Sequence, residues 1–285
     1  MQNRNLIEML PEKLEVLVTG AHDSLALLSR QPTAEDQRLE AERMEALRQF
    51  LSDGELVVAT GNTFEWTRGR VFEPNGLGNV IGITENGLLA QTTKGEVYWN
   101  AGLLPEYNTA MQALEAYASQ LGPHWLQQGK RTTFKPGTDK KRFDNEFVPK
   151  LAEYANKYNC VLYTNPDQDL TGKVALMRHN PGSSLDCDPV NVVISGKTVK
   201  FGGKGEALER LAGIRNYNGK SIVAIGRSRS DVQLFQTVQK LGGTSVIPND
   251  GEFNEKDMQL LDNMGVIKVG VPSPAIIQRV ISVYK

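Results

Sequence analysis

Short runs of apolar residues recur along the chain, each closed by a glycine-bearing turn and followed by a stretch with helical spacing. Ile222-Val223-Ala224-Ile225 is the clearest, and it reads as a strand buried on both faces. Gly226 breaks that run, and Asp231–Gln239 reads as a helix with Val232, Leu234, Phe235 and Val238 on one side. Leu14–Thr19, Glu55–Ala59, Val80–Ile83 and Thr244–Ile247 repeat the strand pattern, and Glu85-Asn86-Gly87 reads as a tight turn. The spacing over Ala34–Leu51 predicts a helix with Leu39, Met44, Leu47 and Leu51 inward. Its wet side would carry Glu40, Glu42, Arg43, Glu45 and Arg48, and Asp53-Gly54 would stop it. Further helices are expected over Lys204–Leu211, near Asn254–Met264 and from Pro272. Strands alternating with helices predict an α/β fold with a doubly wound, parallel, Rossmann-like sheet.

From Leu88 the alternation lapses. Two short strand-like pieces, Leu88–Gln91 and Glu96–Trp99, precede a long helix over Asn108–Leu121. A basic loop (Gly129–Arg142), a helical stretch (Asp144–Tyr158) and strand-like Cys160–Tyr163 and Val174–Arg178 follow. The expected layout is a split core of residues 1–87 and 196–285 with an α+β cap, residues 88–195, inserted in it.

Composition narrows the partners. A chain of 285 residues with 40% hydrophobic and 23% charged residues is an ordinary globular protein. Its net charge of −1 provides no general field for nucleic acid. Cys160 and Cys187 show neither disulfide-scaffold nor zinc spacing, which suits a reducing compartment. No run reads as a signal peptide or a membrane span, so a cytoplasmic protein is expected.

In an open parallel sheet the ligand sits beyond the carboxyl ends of the strands. The loops expected there carry Gly20–Ser24, Thr60–Thr63, the neighbourhood of Lys204 and Gly226–Asp231. In that order, VVATGNT (Val57–Thr63), ITENG (Ile83–Gly87), GKGEALERL (Gly203–Leu211) and IVAIGRSRSDVQLF (Ile222–Phe235) resemble the haloacid dehalogenase superfamily of phosphotransferases. The resemblance is closest to its Cof-type and sucrose-phosphatase-like branch. It implies a HAD-type core, a large cap after the second motif, and magnesium-dependent transfer through an aspartyl-phosphate.

The motifs that should carry that chemistry depart from the pattern. Alignment on the first motif puts Gly20 where the resemblance implies the nucleophilic aspartate, and His22 where it implies the acid/base. Asp23 stands one residue out of register, which on a strand end turns a side chain away. In the fourth motif Arg227 takes the place of a metal-binding carboxylate, while Asp231 is kept. A guanidinium cannot ligate magnesium and repels it. Lys204 matches the lysine that steadies the phosphate, and Thr60 the hydroxyl that binds a phosphate oxygen.

The reading that results is a catalytically degenerate phosphatase fold, a pseudophosphatase, needing no cofactor. It would bind a small anionic or sugar-phosphate ligand, or a protein partner, with neither nucleic acid nor membrane involved. The candidate anion-binding set is Gly20, Thr60, Gly61, Asn62, Lys204 and Arg227, the backbone N–H groups of Gly61 and Asn62 adding donors at a helix start. The alternative is an active sugar-phosphate phosphatase with a rearranged first motif, using Mg²⁺ with Asp23, His22, Lys204 and Asp231. Plainer readings stand beside both. Arg227 could form a structural ion pair with Asp231 or Asp23, and Lys204 could be the first turn of a surface helix. His124 and His179 have no metal-ligand spacing, Asp186 and Asp188 read as a turn before the return to the core ahead of any metal role, and the basic run Lys130, Arg131, Lys135, Lys140, Lys141 and Arg142 reads first as a solvated loop.

Overall fold

A computed structural model describes residues 6, 8–21, 25, 33–100, 105–121, 124–126, 133–136, 145–146, 149–150, 153, 157, 160–164, 190–194, 203–228 and 231–284. The chain divides into two compact units, residues 1–98 with 204–285, and residues 99–203.

The first unit is built on an eight-stranded sheet with helices on both sides. Its strands are β1 (Val16–Thr19), β2 (Glu55–Ala59), β3 (Val80–Thr84), β4 (Leu89–Thr92), β5 (Val97–Asn100), β10 (Ile222–Ile225), β11 (Thr244–Ile247) and β12 (Ile267–Lys268). The order across the sheet is β12-β11-β10-β1-β2-β3-β4-β5, parallel from β12 to β3. β1 and β10 are buried at every position, which is why they read as unbroken apolar runs rather than alternating ones. The chain winds outward from β1 in both directions, so the order reverses there. That reversal opens the crevice in which such sheets bind ligands.

Leu88–Gln91 and Glu96–Trp99 were expected in the inserted block, but β4 instead pairs antiparallel with β3, Ile83 facing Ala90, and β5 continues the sheet. The turn Glu85–Gly87 is a single 3₁₀ turn, with Glu85 at φ 49° and Gly87 at φ 103°.

Helix α1 (Ala34–Phe50) opens with a capping box, in which Thr33 and Asp36 each bond the other's backbone N–H. Two expectations about it change. Arg43, expected on the wet side, is completely buried, and its Nη1 donates to the Pro274 carbonyl at 2.8 Å. Gly54 does not end the helix by a left-handed turn, because Leu51 caps it in right-handed geometry. A β-carbon at Gly54 would lie 2.2 Å from the ring of Phe50, a half-buried side chain that would have to turn aside. Helix α2 (Phe64–Thr67) is one turn, capped by Thr63, whose Oγ1 accepts from the Trp66 N–H at 3.1 Å.

The second unit holds helix α3 (Pro105–Leu121) and a four-stranded sheet, β6-β7-β9-β8. Its strands are β6 (His124–Leu126), β7 (Thr133–Pro136), β8 (Cys160–Thr164) and β9 (Val190–Ile194), and every pairing is antiparallel. Lys135, expected in a solvated loop, is thus in strand β7. The rest of that basic run, the Val174–Arg178 strand, most of Asp144–Tyr158, and His179, Asp186, Cys187 and Asp188 lie outside the described residues. Among the described residues no helix is long and apolar enough to cross a membrane.

The first unit closes with α4 (Gly203–Arg215), α5 (Val232–Leu241), α6 (Glu255–Asn263), α7 (Ser273–Ile281) and a final 3₁₀ turn, Ser282–Tyr284. Tyr284 packs against the main core cluster. Burial pushes its phenol up to about 12, and its buried hydroxyl has no hydrogen-bond partner among the described residues. An unfolded tyrosine ionises near its ordinary value of 10.0. Its contribution is therefore complete below pH 10 and is lost as pH rises through 12, because the folded state holds the proton longer. Tyr284→Phe should lose less stability than wild type between pH 10 and 12 in thermal melts. Parallel pH curves for the two proteins would refute this.

Candidate functional site

The register across the central strands brings the candidate loops to one edge. Thr19 stands opposite both Ile225 of β10 and Val58 of β2. Gly20, the Gly226 turn and Thr60 therefore leave the sheet side by side. Thr60 is buried; its N–H donates to the Ile83 carbonyl at 2.9 Å, and its Oγ1 accepts from the Asn62 N–H at 3.2 Å. The Asn62 carbonyl in turn accepts from the Glu85 N–H at 2.9 Å, tying the β2 loop to the turn after β3.

Asp231 is the centre of the arrangement. It precedes α5, and both its carboxylate oxygens are engaged. Oδ1 accepts from the Lys204 ammonium at 2.9 Å. Oδ2 accepts from the N–H groups of Arg227 (3.1 Å) and Ser228 (3.2 Å) and from the Ser228 hydroxyl (3.3 Å). Both members of the ion pair are buried, with side-chain exposures of 10% and 6%. Two glycines make the pair possible. A β-carbon at Gly205 would lie 2.6 Å from the Gln233 carbonyl oxygen, so glycine lets the first turn of α4 approach α5. At Gly226 a β-carbon would lie 2.6 Å from both Asp231 Cβ and Phe235 Cζ, so glycine keeps that turn tight around the carboxylate.

Gly20 is different. The nearest atom to a β-carbon there is Asp231 Oδ1, at 4.0 Å. Among the described residues nothing obstructs a side chain there, and the sequence places none.

The Arg227 guanidinium pairs with Glu252. Its Nη2 donates to Glu252 Oε1 at 2.7 Å, and the Glu252 N–H donates to the Arg227 carbonyl at 2.6 Å. A parallel bridge between Ser228 and Glu252 adds to the strap. The backbone N–H of Arg227 serves Asp231. Of the structural pairs expected for Arg227, the one with Asp23 lies outside the described residues, and the loop after β11 supplies Glu252 as a partner. Glu252 stands in Pro248–Phe253, a fifth loop beyond the carboxyl ends of the strands, which is the signal in the sequence that points to it.

The candidate set is therefore partly assembled. Gly20, Thr60, Lys204 and Asp231 belong to loops of one edge. Gly61 and Asn62 precede the cap Thr63 rather than opening the helix, and the Asn62 N–H is already bonded to Thr60. His22 and Asp23 lie outside the described residues.

Magnesium, which this chemistry implies, takes a near-octahedral set of oxygens. Among the described residues the edge offers Gly20, without a side chain, Asp231, with its oxygens committed to four donors, Glu252, held by Arg227, and Asp250, which accepts from the Ser273 N–H and hydroxyl. Arg227 brings a fixed positive charge to the turn. These groups do not fit the ion, and among the described residues no cluster of three or more His, Cys, Asp or Glu is placed to hold a metal.

Against sequence models of known families, residues 33–246 match the haloacid dehalogenase-like hydrolases. The chain belongs to that family. The match begins downstream of Gly20, so the departure at the first motif lies outside it. Several solved structures share the fold. TM0651 of Thermotoga maritima superposes with a TM-score of 0.64 at 15% identity, covering 94% of this chain and 97% of that one. The sucrose-phosphatase of Synechocystis, solved with sucrose and phosphate, gives 0.57 at 16% identity over 95% and 98%. BT1666 of Bacteroides thetaiotaomicron, described among the phosphatases of the superfamily, gives 0.54 at 13% over 95% and 96%. No curated protein matches the chain in sequence.

Gly205→Ala tests how the family lysine is positioned. Helix propensity alone favours alanine by about 1 kcal/mol. The contact with the Gln233 carbonyl should reverse that sign, destabilising the protein by about 1–3 kcal/mol in urea unfolding. A variant as stable as wild type, or more so, would show that α4 and α5 do not meet this closely.

Proposed function

We propose that this chain is a hydrolase-family member that has given up metal-dependent phosphoryl transfer. It holds a small anion of the phosphate or sugar-phosphate class at the carboxyl edge of its core. The observation that carries this reading is the open position at Gly20, facing an Asp231 carboxylate that Lys204 already neutralises. Hydrolysis in this family needs a carboxylate nucleophile beside a divalent ion. Gly20 removes the first, and the Lys204–Asp231 pair with Arg227 leaves no charge for the second to balance. The same changes favour an anion. Removing a carboxylate at Gly20 removes a repulsive charge and its bulk, while the Lys204 ammonium and the Thr60 loop remain at the edge. Near-zero net charge and two unpatterned cysteines support a cytoplasmic protein acting on a small molecule rather than on nucleic acid.

The reading is tested on the full chain with p-nitrophenyl phosphate and Mg²⁺, and by isothermal titration with inorganic phosphate and glucose 6-phosphate. Turnover should stay at the no-enzyme background, and Asp23→Asn should leave it unchanged. At least one of the two anions should bind, about tenfold or more weakly in Lys204→Ala, since a charge-assisted hydrogen bond contributes about 1.5–3 kcal/mol. Magnesium-dependent turnover abolished by Asp23→Asn would replace this reading with that of a working phosphatase. Absence of binding for both anions would replace it with that of a protein-interaction module.

A further inference from the structure

The loop after β11 is pinned from Asn249 to Asn254. The Asn249 N–H donates to the Val271 carbonyl at 3.1 Å. Asp250 Oδ1 accepts from the Ser273 N–H at 2.8 Å and from the Ser273 hydroxyl at 2.7 Å. Phe253 lies against Phe235 of α5, with ring centroids 6.4 Å apart, and Asn254 caps α6. Between these anchors the Glu252 N–H donates to the Arg227 carbonyl at 2.6 Å. The Glu252 side chain differs from its neighbours: it is 69% exposed, and it holds the Arg227 guanidinium.

That ion pair is lopsided. The Arg227 side chain is 21% exposed, so the guanidinium is rooted in the edge and the carboxylate is the partner that can leave. An ion pair with one member in water is weak, because water competes for the carboxylate and salt screens the attraction. A guanidinium offers five N–H donors in a planar fork, and two phosphate oxygens match that fork better than one carboxylate oxygen does. Arg227 also belongs to the anion edge. Its N–H donates to Asp231 Oδ2, while Oδ1 of the same carboxylate accepts from Lys204 and would lie 4.0 Å from a β-carbon at Gly20. One carboxylate thus separates the Arg227 backbone from both the ammonium and the open position.

We propose that Glu252 is an internal competitor for the anion site: its carboxylate occupies the Arg227 fork until a phosphate displaces it. This rests on the anion reading above and adds to it a device that sets the affinity. With Glu252 seated, an arriving phosphate meets Lys204 and the Thr60 loop alone. Once the Glu252 side chain turns into solvent, the fork closes on the phosphate as a second cationic contact. The Glu252 backbone stays in place throughout, because its N–H bond and the anchors on either side do not involve the side chain. A ligand therefore loses part of the Arg227 contact to the exchange, and weak anions are kept out.

The test is isothermal titration of the full chain with inorganic phosphate and with glucose 6-phosphate at 0.15 M salt. Glu252→Gln keeps an oxygen acceptor and removes the charge. It should bind either anion about three- to tenfold more tightly than wild type. The gain should vanish when Arg227→Ala is added, since the competitor acts only through that guanidinium; this double-mutant cycle isolates the pair. Glu255→Gln, at an exposed acid three residues on, removes the same charge and should leave the affinity unchanged. Equal affinity in wild type and Glu252→Gln, a gain that survives Arg227→Ala, or an equal gain in Glu255→Gln would each overturn the competitor and leave the anion reading standing. No binding of either anion in any of these proteins would overturn both.

Discussion

A buried lysine ammonium lies 2.9 Å from a buried aspartate carboxylate, and the edge of the sheet is arranged around that pair. Removing one partner of such a pair costs about 3–5 kcal/mol, because the other is left charged and dry. Everything near it is consistent with that constraint. The tight turn at Gly226 directs two backbone N–H groups and a serine hydroxyl to the second carboxylate oxygen. The thin first turn of α4 at Gly205 lets Lys204 reach the first. The carboxylate is thereby saturated by donors from the chain itself, in a place where the family's chemistry would give it a metal to share.

The two departures from the family pattern fit each other physically. A carboxylate at position 20 would stand next to Asp231, and two anions that close require a cation between them. With glycine there, one ammonium suffices. With Arg227 in the turn, a divalent ion would meet a second positive charge. That guanidinium is instead held by Glu252, tying the loop after β10 to the loop after β11. The turn is a strapped structural element, and an anion approaching Arg227 competes with an internal carboxylate.

Much of this was legible in the sequence, for reasons particular to each residue. Apolar runs such as Ile222–Ile225 admit only a doubly buried strand when glycine follows and helical spacing resumes, so the core sheet could be read directly. The absence of a carboxylate at Gly20 and the guanidinium at Arg227 are matters of residue type and needed no coordinates. Partner identity was not legible. Arg43 looks like a surface residue on any helical wheel, and only the carbonyl of Pro274, far along the chain, explains its burial. Arg227 could have paired with any nearby carboxylate, and the choice of Glu252 depends on the β10–β11 register. The edge strands β4 and β5 were placed in the inserted block because a hairpin that extends a sheet has the same local pattern as one that begins another domain.

Paramagnetic relaxation with Mn²⁺ as a stand-in for Mg²⁺ interrogates the Asp231 carboxylate directly. With that carboxylate saturated by Lys204 and the Gly226 turn, the amide signals of Gly20, Arg227 and Asp231 should broaden no more than those of exposed acidic residues such as Glu35 at equal Mn²⁺. Selective broadening of those three at low Mn²⁺, quenched by added Mg²⁺, would mean that a divalent ion is held there after all.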